Sequence, residues 1–139
     1  MIVSGDSVGV WTSERLKTIW CPSISKAIGL EINGRLKAGV ICDEFNGTSI
    51  CMHIAADFLS KRFLQFCFNY AFNQLKVKKV IGTVWEDNLK ARILDERLGF
   101  ILETRIKDST PNGDLLIYTM TKSQCRWLYG KKDTTAAAA

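Results

Sequence analysis

Residues 77–100 read VKKVIGTVWEDNLKARILDERLGF. The segment Val77–Trp85 is rich in β-branched and apolar residues, which predicts a buried strand. A short polar turn follows, and Asn88 is a residue type that caps helices, so we expect a helix over 88–98. Gly99 can adopt the left-handed conformation that ends a helix, and Phe100 begins a further strand. The segment therefore predicts a strand, a helix and a second strand joined by short turns.

The sequence before this segment predicts a three-stranded meander. Its strands are expected at Ala27–Ile32, Leu36–Cys42 and Ser49–Ala56, and Asn33-Gly34 between the first two is the preferred pair for a tight hairpin turn. The first ten residues allow a short strand. Thr12 or Ser13 is expected to cap a helix that extends to about Trp20.

A long apolar helix and a final hairpin complete the predicted elements. Asp57 or Ser60 can cap a helix that reaches about Leu75, whose polar residues form one stripe. Two strands are expected at Phe100–Lys107 and Asp114–Thr121. The predicted order is β–α–βββ–α–β–α–ββ, an α/β protein with a mixed sheet and one right-handed crossover.

The composition is that of an ordinary globular protein, with 47% hydrophobic and 24% charged residues in a chain of 139. We expect one domain over residues 1–130 and a disordered tail over 131–139. No run approaches the ~18 apolar residues that cross a membrane, and the N-terminus lacks the features of a signal peptide. The five cysteines form no C-x-x-C pair, so we predict reduced thiols, a cytoplasmic protein and no metal site.

The net charge of +5 bears on whether the protein binds nucleic acid or a small anionic ligand. The basic residues are scattered in ones and twos, and no predicted helix carries a basic face interleaved with aromatics, which argues against nucleic-acid binding. A mild excess of Lys and Arg equally suits an anionic small ligand such as a nucleotide-bearing cofactor.

The strand–helix–strand segment resembles the second half of the GNAT superfamily of N-acetyltransferases. Asn88, Ala91, Gly99 and Phe100 match the pattern of that family, and the predicted element order is also the family order. The segments FNYAFNQL (68–75) and CRWL (125–128) are similar to small GNAT-like proteins of tailed bacteriophages. The resemblance implies a splayed sheet that binds acetyl-CoA and an acetyl transfer to a primary amine, in the host cytoplasm if the protein is phage-encoded. It leaves a homodimer open.

The resemblance also implies where the coenzyme would bind. The backbone of Ile54 and Ala55 would pair with the pantetheine arm, and Asn88 would contact the same arm. The helix start would hold the pyrophosphate with Leu59, Ser60, Lys61, Arg62 and Phe63. The family loop at this place carries glycines, whereas this chain has no glycine between Gly47 and Gly82. Lys61 and Arg62 could replace the lost amide contacts by charge; the alternative is an ordinary capped helix with two solvated basic residues.

The sole histidine, His53, is the candidate catalytic base. Alternation along the strand puts His53 on one face with Cys51 and Ala55, opposite the face of Ile50, Met52, Ile54 and Ala56. An imidazole titrates in the range that suits removal of a proton from an attacking amine. The alternative is a histidine hydrogen-bonded within the sheet, with Glu44 and Glu86 as lesser candidates for the base.

Two departures from the family, the missing loop glycines and Asp95, leave a second function open. The residue at the position of the family's often catalytic tyrosine is Asp95, so the usual acid for the coenzyme thiolate is absent. Cys125 beside Arg126 could be an activated thiol, but the sole histidine is expected on a distant strand, which disfavours a Cys–His enzyme. The alternative to an acetyltransferase is a non-catalytic module of the same fold that binds a partner protein or nucleic acid.

Overall fold

The computed structural model describes residues 1–130, and the tail expected at 131–139 lies outside them. Seven strands are present in this part of the chain: β1 (Ile2–Ser4), β2 (Lys26–Ile32), β3 (Arg35–Asp43), β4 (Ser49–Ala56), β5 (Lys79–Trp85), β6 (Ile101–Thr110) and β7 (Gly113–Thr121). The helices are α1 (Asp6–Leu16), α2 (Lys61–Asn69) and α3 (Leu89–Leu98), with a π-helical turn at Tyr70–Gln74 and a 3-10 turn at Lys122–Gln124. The predicted order of strands and helices is confirmed.

All seven strands form one mixed sheet in the order β1-β2-β3-β4-β5-β7-β6. Every neighbouring pair is antiparallel except β4 and β5, which are parallel. The parallel pair is joined at only three positions and ends at Cys51 and Ile81. Beyond this point β4 continues along β3 to Ala56, while β5 continues along β7 to Trp85. The sheet therefore splays open in its middle.

Helix α1 differs from the prediction. It begins after Gly5 and ends at Leu16, so Thr12 and Ser13 lie inside it rather than at its start. Their hydroxyls donate to the carbonyls of Val8 and Val10 within the helix. Thr12 is fully buried against Gly39 of β3. Any residue with a Cβ at position 39 would place that atom only 1.9 Å from the Thr12 Oγ1, so the glycine is what allows this close approach. The position of α1 along the chain is therefore set by its close packing on the sheet. Local cap preferences cannot reveal such a contact.

The main core lies on the opposite face of the sheet, beneath α2 and α3. Phe63, Phe68 and Phe72 are fully buried there against Val80 of β5 and Leu116 of β7. Ser60, not Asp57, caps α2, and the regular helix ends at Asn69 before the π-helical turn completes the predicted length. Among residues 1–130 no helix is long and apolar enough to span a membrane.

The C-terminal segment packs on this core. Leu128 is buried, and the indole Nε1–H of Trp127 donates to the carbonyl of Leu98 at 2.9 Å. Within the described residues the five cysteines form no disulfide. Cys125 is buried, which disfavours a role as an exposed nucleophile.

Candidate functional site

The splay between β4 and β5 leaves backbone groups of β4 without a strand partner. The amide of Lys79 donates to the carbonyl of Thr48, so the even-numbered residues at this end of β4 direct their backbone groups toward β5. At the other end the Asp57 amide donates to the Lys37 carbonyl of β3, which gives the same alternation. The backbone groups of Ile54 consequently face the open splay, whereas those of Ala55 face β3.

A cleft of about 550 Å³ lies where the splay is widest. One wall is the end of β4 and the loop before α2, and the other is the outer side of α3. Its lining residues are mostly apolar, with a basic residue near each end of the α3 wall: Ala56, Asp57, Phe58, Leu59, Lys90, Ile93, Leu94 and Arg97. A mostly apolar cleft with two cationic side chains in its lining suits a ligand that has an apolar arm and an anionic end.

The start of α2 forms one edge of this region. Leu59 lines the cleft, and the hydroxyl of Ser60 accepts a hydrogen bond from the amide of Phe63 at 3.1 Å. The Phe63 amide is thus already bonded, and its ring belongs to the core. The amides of Lys61 and Arg62 remain as first-turn donors with no intrahelical partner, and both side chains are exposed. Of the residues predicted for pyrophosphate binding, Lys61 and Arg62 retain free donors.

Asn88 caps α3, on the other side of the splay. Its Oδ1 accepts a hydrogen bond from the amide of Ala91 at 3.2 Å, and Gly99 ends the helix with a φ of 108°. The cap function predicted from the sequence is confirmed. The Nδ2 group of Asn88 makes no hydrogen bond to the described residues, so it is free to donate to a ligand.

His53 lies on the face of the sheet that α1 covers, because Ala55 on the same face pairs with Gly39 beneath α1. Its Nε2–H donates to Oδ1 of Asp43 at 2.9 Å, and the two side chains are only 22% and 19% exposed. The predicted hydrogen bond within the sheet is therefore present. An imidazole whose Nε2 is held by a carboxylate leaves its Nδ1 lone pair available. Nδ1 bonds to none of the described residues.

The other candidate bases differ in their surroundings. Glu86 forms an ion pair with Arg105 at 2.8 Å, and Arg105 also contacts Asp114 at 3.1 Å. Glu44 is exposed at the end of β3. Glu86 is thus already paired with a cation, and Glu44 is solvated, whereas His53 is held by Asp43 and keeps its Nδ1 lone pair free.

Lys90 and Arg97 were missed in the sequence analysis, although they lie two turns apart on α3 and flank Ile93 and Leu94. That spacing places them along one side of the helix, a pattern readable from the sequence. Asp57 was expected only as a helix cap. It lines the cleft instead, and the guanidinium of Arg15 bonds to it at 2.6 Å and lowers the pKa of its carboxyl. Arg15 thereby offsets a negative charge at the cleft.

Asp95 lies on the buried side of α3, next to β5. It is 9% exposed as a residue, and its unbonded carboxyl keeps contact with solvent, since no fully buried side-chain oxygen of the described residues lacks a partner. The Asp95 carboxyl lies close above Gly82. A Cβ at position 82 would lie only 3.1 Å from the Asp95 Oδ2, so the glycine leaves space for the carboxyl. Burial, followed by the charge of Glu96, raises the pKa of Asp95 to about 7.

The sheet order, the parallel pair that splays and the helix that crosses between its strands define the fold of the GNAT-type N-acetyltransferases. Comparison with solved structures agrees. A mutant form of the spermidine N-acetyltransferase SpeG from Vibrio cholerae is similar, with a TM-score of 0.72 and 16% identity over 93% of this chain and 98% of that one. The spermidine N-acetyltransferase from Vibrio cholerae in complex with CoA and spermine gives a TM-score of 0.63 and 18% identity over 74% and 69% of the two chains.

A structure described as a probable acetyltransferase gives a TM-score of 0.59 and 20% identity, over 70% of this chain and 61% of that one. No protein-family model matches the sequence, and no curated protein matches it. At these identities the likeness establishes the fold.

Proposed function

We propose that the protein is an N-acetyltransferase that moves an acetyl group from acetyl-CoA to a primary amine. The observation that carries the proposal is the splay. Beyond Cys51 and Ile81 it leaves the backbone of Ile54 without a partner on β5, two residues before Ala56 in the wall of a cleft that Lys90 and Arg97 also line. An unpaired strand edge accepts an amide-bearing chain by adding backbone hydrogen bonds, and the pantetheine arm is such a chain.

Residues in and beside the cleft would bind the pantetheine arm and the pyrophosphate of this coenzyme. Ile54 would bond the pantetheine amides. Ala55, whose backbone groups face β3, leaves that role to its neighbour. Lys61 and Arg62 would hold the pyrophosphate with two free amides and two cationic side chains. Lys90 and Arg97 add positive charge along α3, and the apolar residues between them would cover the arm.

His53 would accept the proton that the amine loses, through Nδ1. Asp43 would fix the ring and its tautomer through the 2.9 Å hydrogen bond, and so acts as a positioning residue. Much of the rate in such a reaction comes from holding two substrates in the reactive geometry, which rigid strands achieve. A small cationic amine is the acceptor class that we favour, because the similar structure in complex with CoA also holds spermine.

The second candidate function is a module of this fold that has lost acetyl transfer and binds a macromolecule. The loop before α2 favours it, because it lacks the glycines that bring backbone close to phosphates. It predicts no response to the coenzyme, so coenzyme binding separates the two functions before any acceptor is known.

Thermal unfolding with acetyl-CoA is the test. A ligand that binds only the folded state stabilises it by about 2.7 kcal/mol at a hundred times its Kd, so we expect a clear rise in Tm with acetyl-CoA and none with free adenine. Ile93→Trp should fill the cleft from its exposed side and abolish the shift. Leu89→Trp is the matched control, because Leu89 is exposed on the same helix but does not line the cleft. An unchanged Tm at millimolar acetyl-CoA would support the binding module instead.

A further inference from the structure

We propose that a second copy of this chain packs on the half of the sheet formed by β5, β7 and β6, on the face opposite α2 and α3. Helix α1 lies on this face of the sheet, but it packs on β2, β3 and β4. Among residues 1–130 no helix covers the other half of the face. Trp85, Ile101 and Ile106 are 51%, 53% and 52% exposed there. The inference concerns a contact surface and does not depend on acetyl transfer.

The strand register arranges the residues of this surface in three rows that cross β5, β7 and β6. The rows are Trp85, Leu115 and Ile106; Thr83, Ile117 and Thr104; and Ile81, Thr119 and Ile101. Their neighbours along the strands, Val84 and Leu116, are buried in the core on the other face, which fixes the direction of the rows. The rows hold apolar residues and threonines and no charged residue. An apolar sheet face of this kind is usually covered.

The two ends of this surface carry opposite charge. β5 follows Lys78 and runs toward Asp87, and β7 runs the other way, from Asp114 toward Lys122. The charged residues are Lys78, Lys79, Glu103 and Lys122 at one end and Glu86, Asp87, Arg105, Lys107, Asp108 and Asp114 at the other. Local ion pairs, such as that of Lys79 with Glu103, leave the first end basic and the second end acidic.

This polarity makes the surface complementary to itself. A two-fold axis that crosses the strands lays β5 antiparallel over the same strand of the second copy. The basic end of each copy then faces the acidic end of the other, and the uncharged middle row faces itself. Contacts between identical subunits require such a self-complementary patch, and sheets stack with their inner faces interdigitated. A polyanionic partner would be repelled at the acidic end.

Two other occupants fit the surface less well. Residues 131–139 read KKDTTAAAA and contain no apolar side chain larger than alanine. The chain also reaches them from the opposite face, where Trp127 donates to the Leu98 carbonyl. Pairing between β6 edges is the other possibility, but β6 has two irregularities in its register and several charged residues, which discourage contacts between edges. The rows described above have no such protection.

Sedimentation equilibrium of the full chain, from micromolar to millimolar concentration, tests the proposal. We expect wild type to approach twice the chain mass of 15.6 kDa. Thr83→Glu and Ile106→Glu should each weaken dimerisation by about 100-fold or more, because the dimer would bury two unpaired carboxylates. Ile19→Glu is the matched control, since Ile19 is 82% exposed and lies outside the rows, and it should dimerise like wild type. Circular dichroism checks that each variant is folded.

A charge exchange tests the two-fold arrangement. Lys78→Glu with Lys122→Glu makes both ends acidic, and Asp87→Lys with Asp108→Lys makes both ends basic. Each double variant alone should lose the dimer, whereas an equimolar mixture of the two should form a mixed dimer. Wild type that stays monomeric at millimolar concentration, or a mixture that stays monomeric, would overturn the proposal. A dimer that survives Thr83→Glu would also overturn it, and one that Ile106→Glu alone abolishes would indicate pairing at the β6 edge instead.

Discussion

The two strand–helix junctions that border the splay have the same local design but engage their basic residues differently. Each is a strand, a short connection and a helix capped by a side-chain oxygen, Ser60 in one and Asn88 in the other. The first junction continues into Lys61 and Arg62 and the second into Lys90 and Arg92, and neither helix has an acidic residue in its first turn. The second is preceded by Glu86 and Asp87, and its helix carries the buried Asp95. We infer that the first junction holds an anion, because the side chains of Lys61 and Arg62 form no ion pair with the described residues, whereas Arg92 donates to the Glu86 carbonyl.

The largest effect should come from the base. His53→Gln keeps hydrogen-bonding capacity but removes the titratable group, so turnover should fall by roughly 10²–10⁴-fold while the affinity for acetyl-CoA persists. Steady-state kinetics across pH is the measurement, and the acidic limb of the profile should disappear. Asp43→Asn is the companion variant, which should lower turnover less because it frees the ring without removing it. Turnover that survives in His53→Gln with an unaltered profile would make His53 a structural residue of the sheet.

The next effect concerns the buried acid and needs no ligand. The pKa of Asp95 is raised from an ordinary value near 4 to about 7, so folding favours its protonated form. Its contribution to stability is complete below about pH 4 and is lost as pH rises to about 7. Relative to Asp95→Asn, the wild type should therefore lose up to about 4 kcal/mol of unfolding free energy between these values. Denaturant unfolding at pH 4.5 and pH 8 measures it; parallel curves for the two proteins would show that the carboxyl is not desolvated.

The two junctions and helix α1 also show which features could be predicted from the sequence. Asn88, Gly99 and the Asn33-Gly34 turn act through their own backbone neighbourhood, so propensity and cap rules were sufficient. Helix α1 was placed wrongly because its register is set by packing of Thr12 against Gly39, a contact between distant segments. The burial of Asp95 has the same origin. Its burial depends on how α3 packs over β5, which no local pattern reports.

A smaller effect should come from the basic junction. Changing both Lys61 and Arg62 to Ala should weaken acetyl-CoA binding by about 1–3 kcal/mol with the fold intact, because each charge-assisted contact to a phosphate is lost. Arg35→Ala with Lys107→Ala is the control pair, since it removes the same charge from exposed sites away from the cleft. Equal losses in both pairs would indicate long-range attraction only, and no loss in the first pair would place the phosphates elsewhere.

The smallest effect should come from the cap of α3. Asn88→Ala should cost about 1 kcal/mol of stability by removing the acceptor for the Ala91 amide, and Asn88→Asp should keep it. If Nδ2 of Asn88 also contacts the coenzyme, both variants should bind acetyl-CoA more weakly than wild type. Binding that is unaffected in Asn88→Asp would confine this residue to its role as a cap.

Amide hydrogen exchange at Ile54 tests the central claim most directly. The Ile54 amide faces the open splay and should exchange quickly in the free protein, whereas the Ala55 amide faces β3 and should exchange slowly. Saturating acetyl-CoA should protect Ile54 strongly and leave Ala55 almost unchanged, as expected if the coenzyme arm pairs with the edge of β4. Acetyl-CoA that leaves the exchange of Ile54 as fast as before would contradict the account, even if the coenzyme bound elsewhere on the protein.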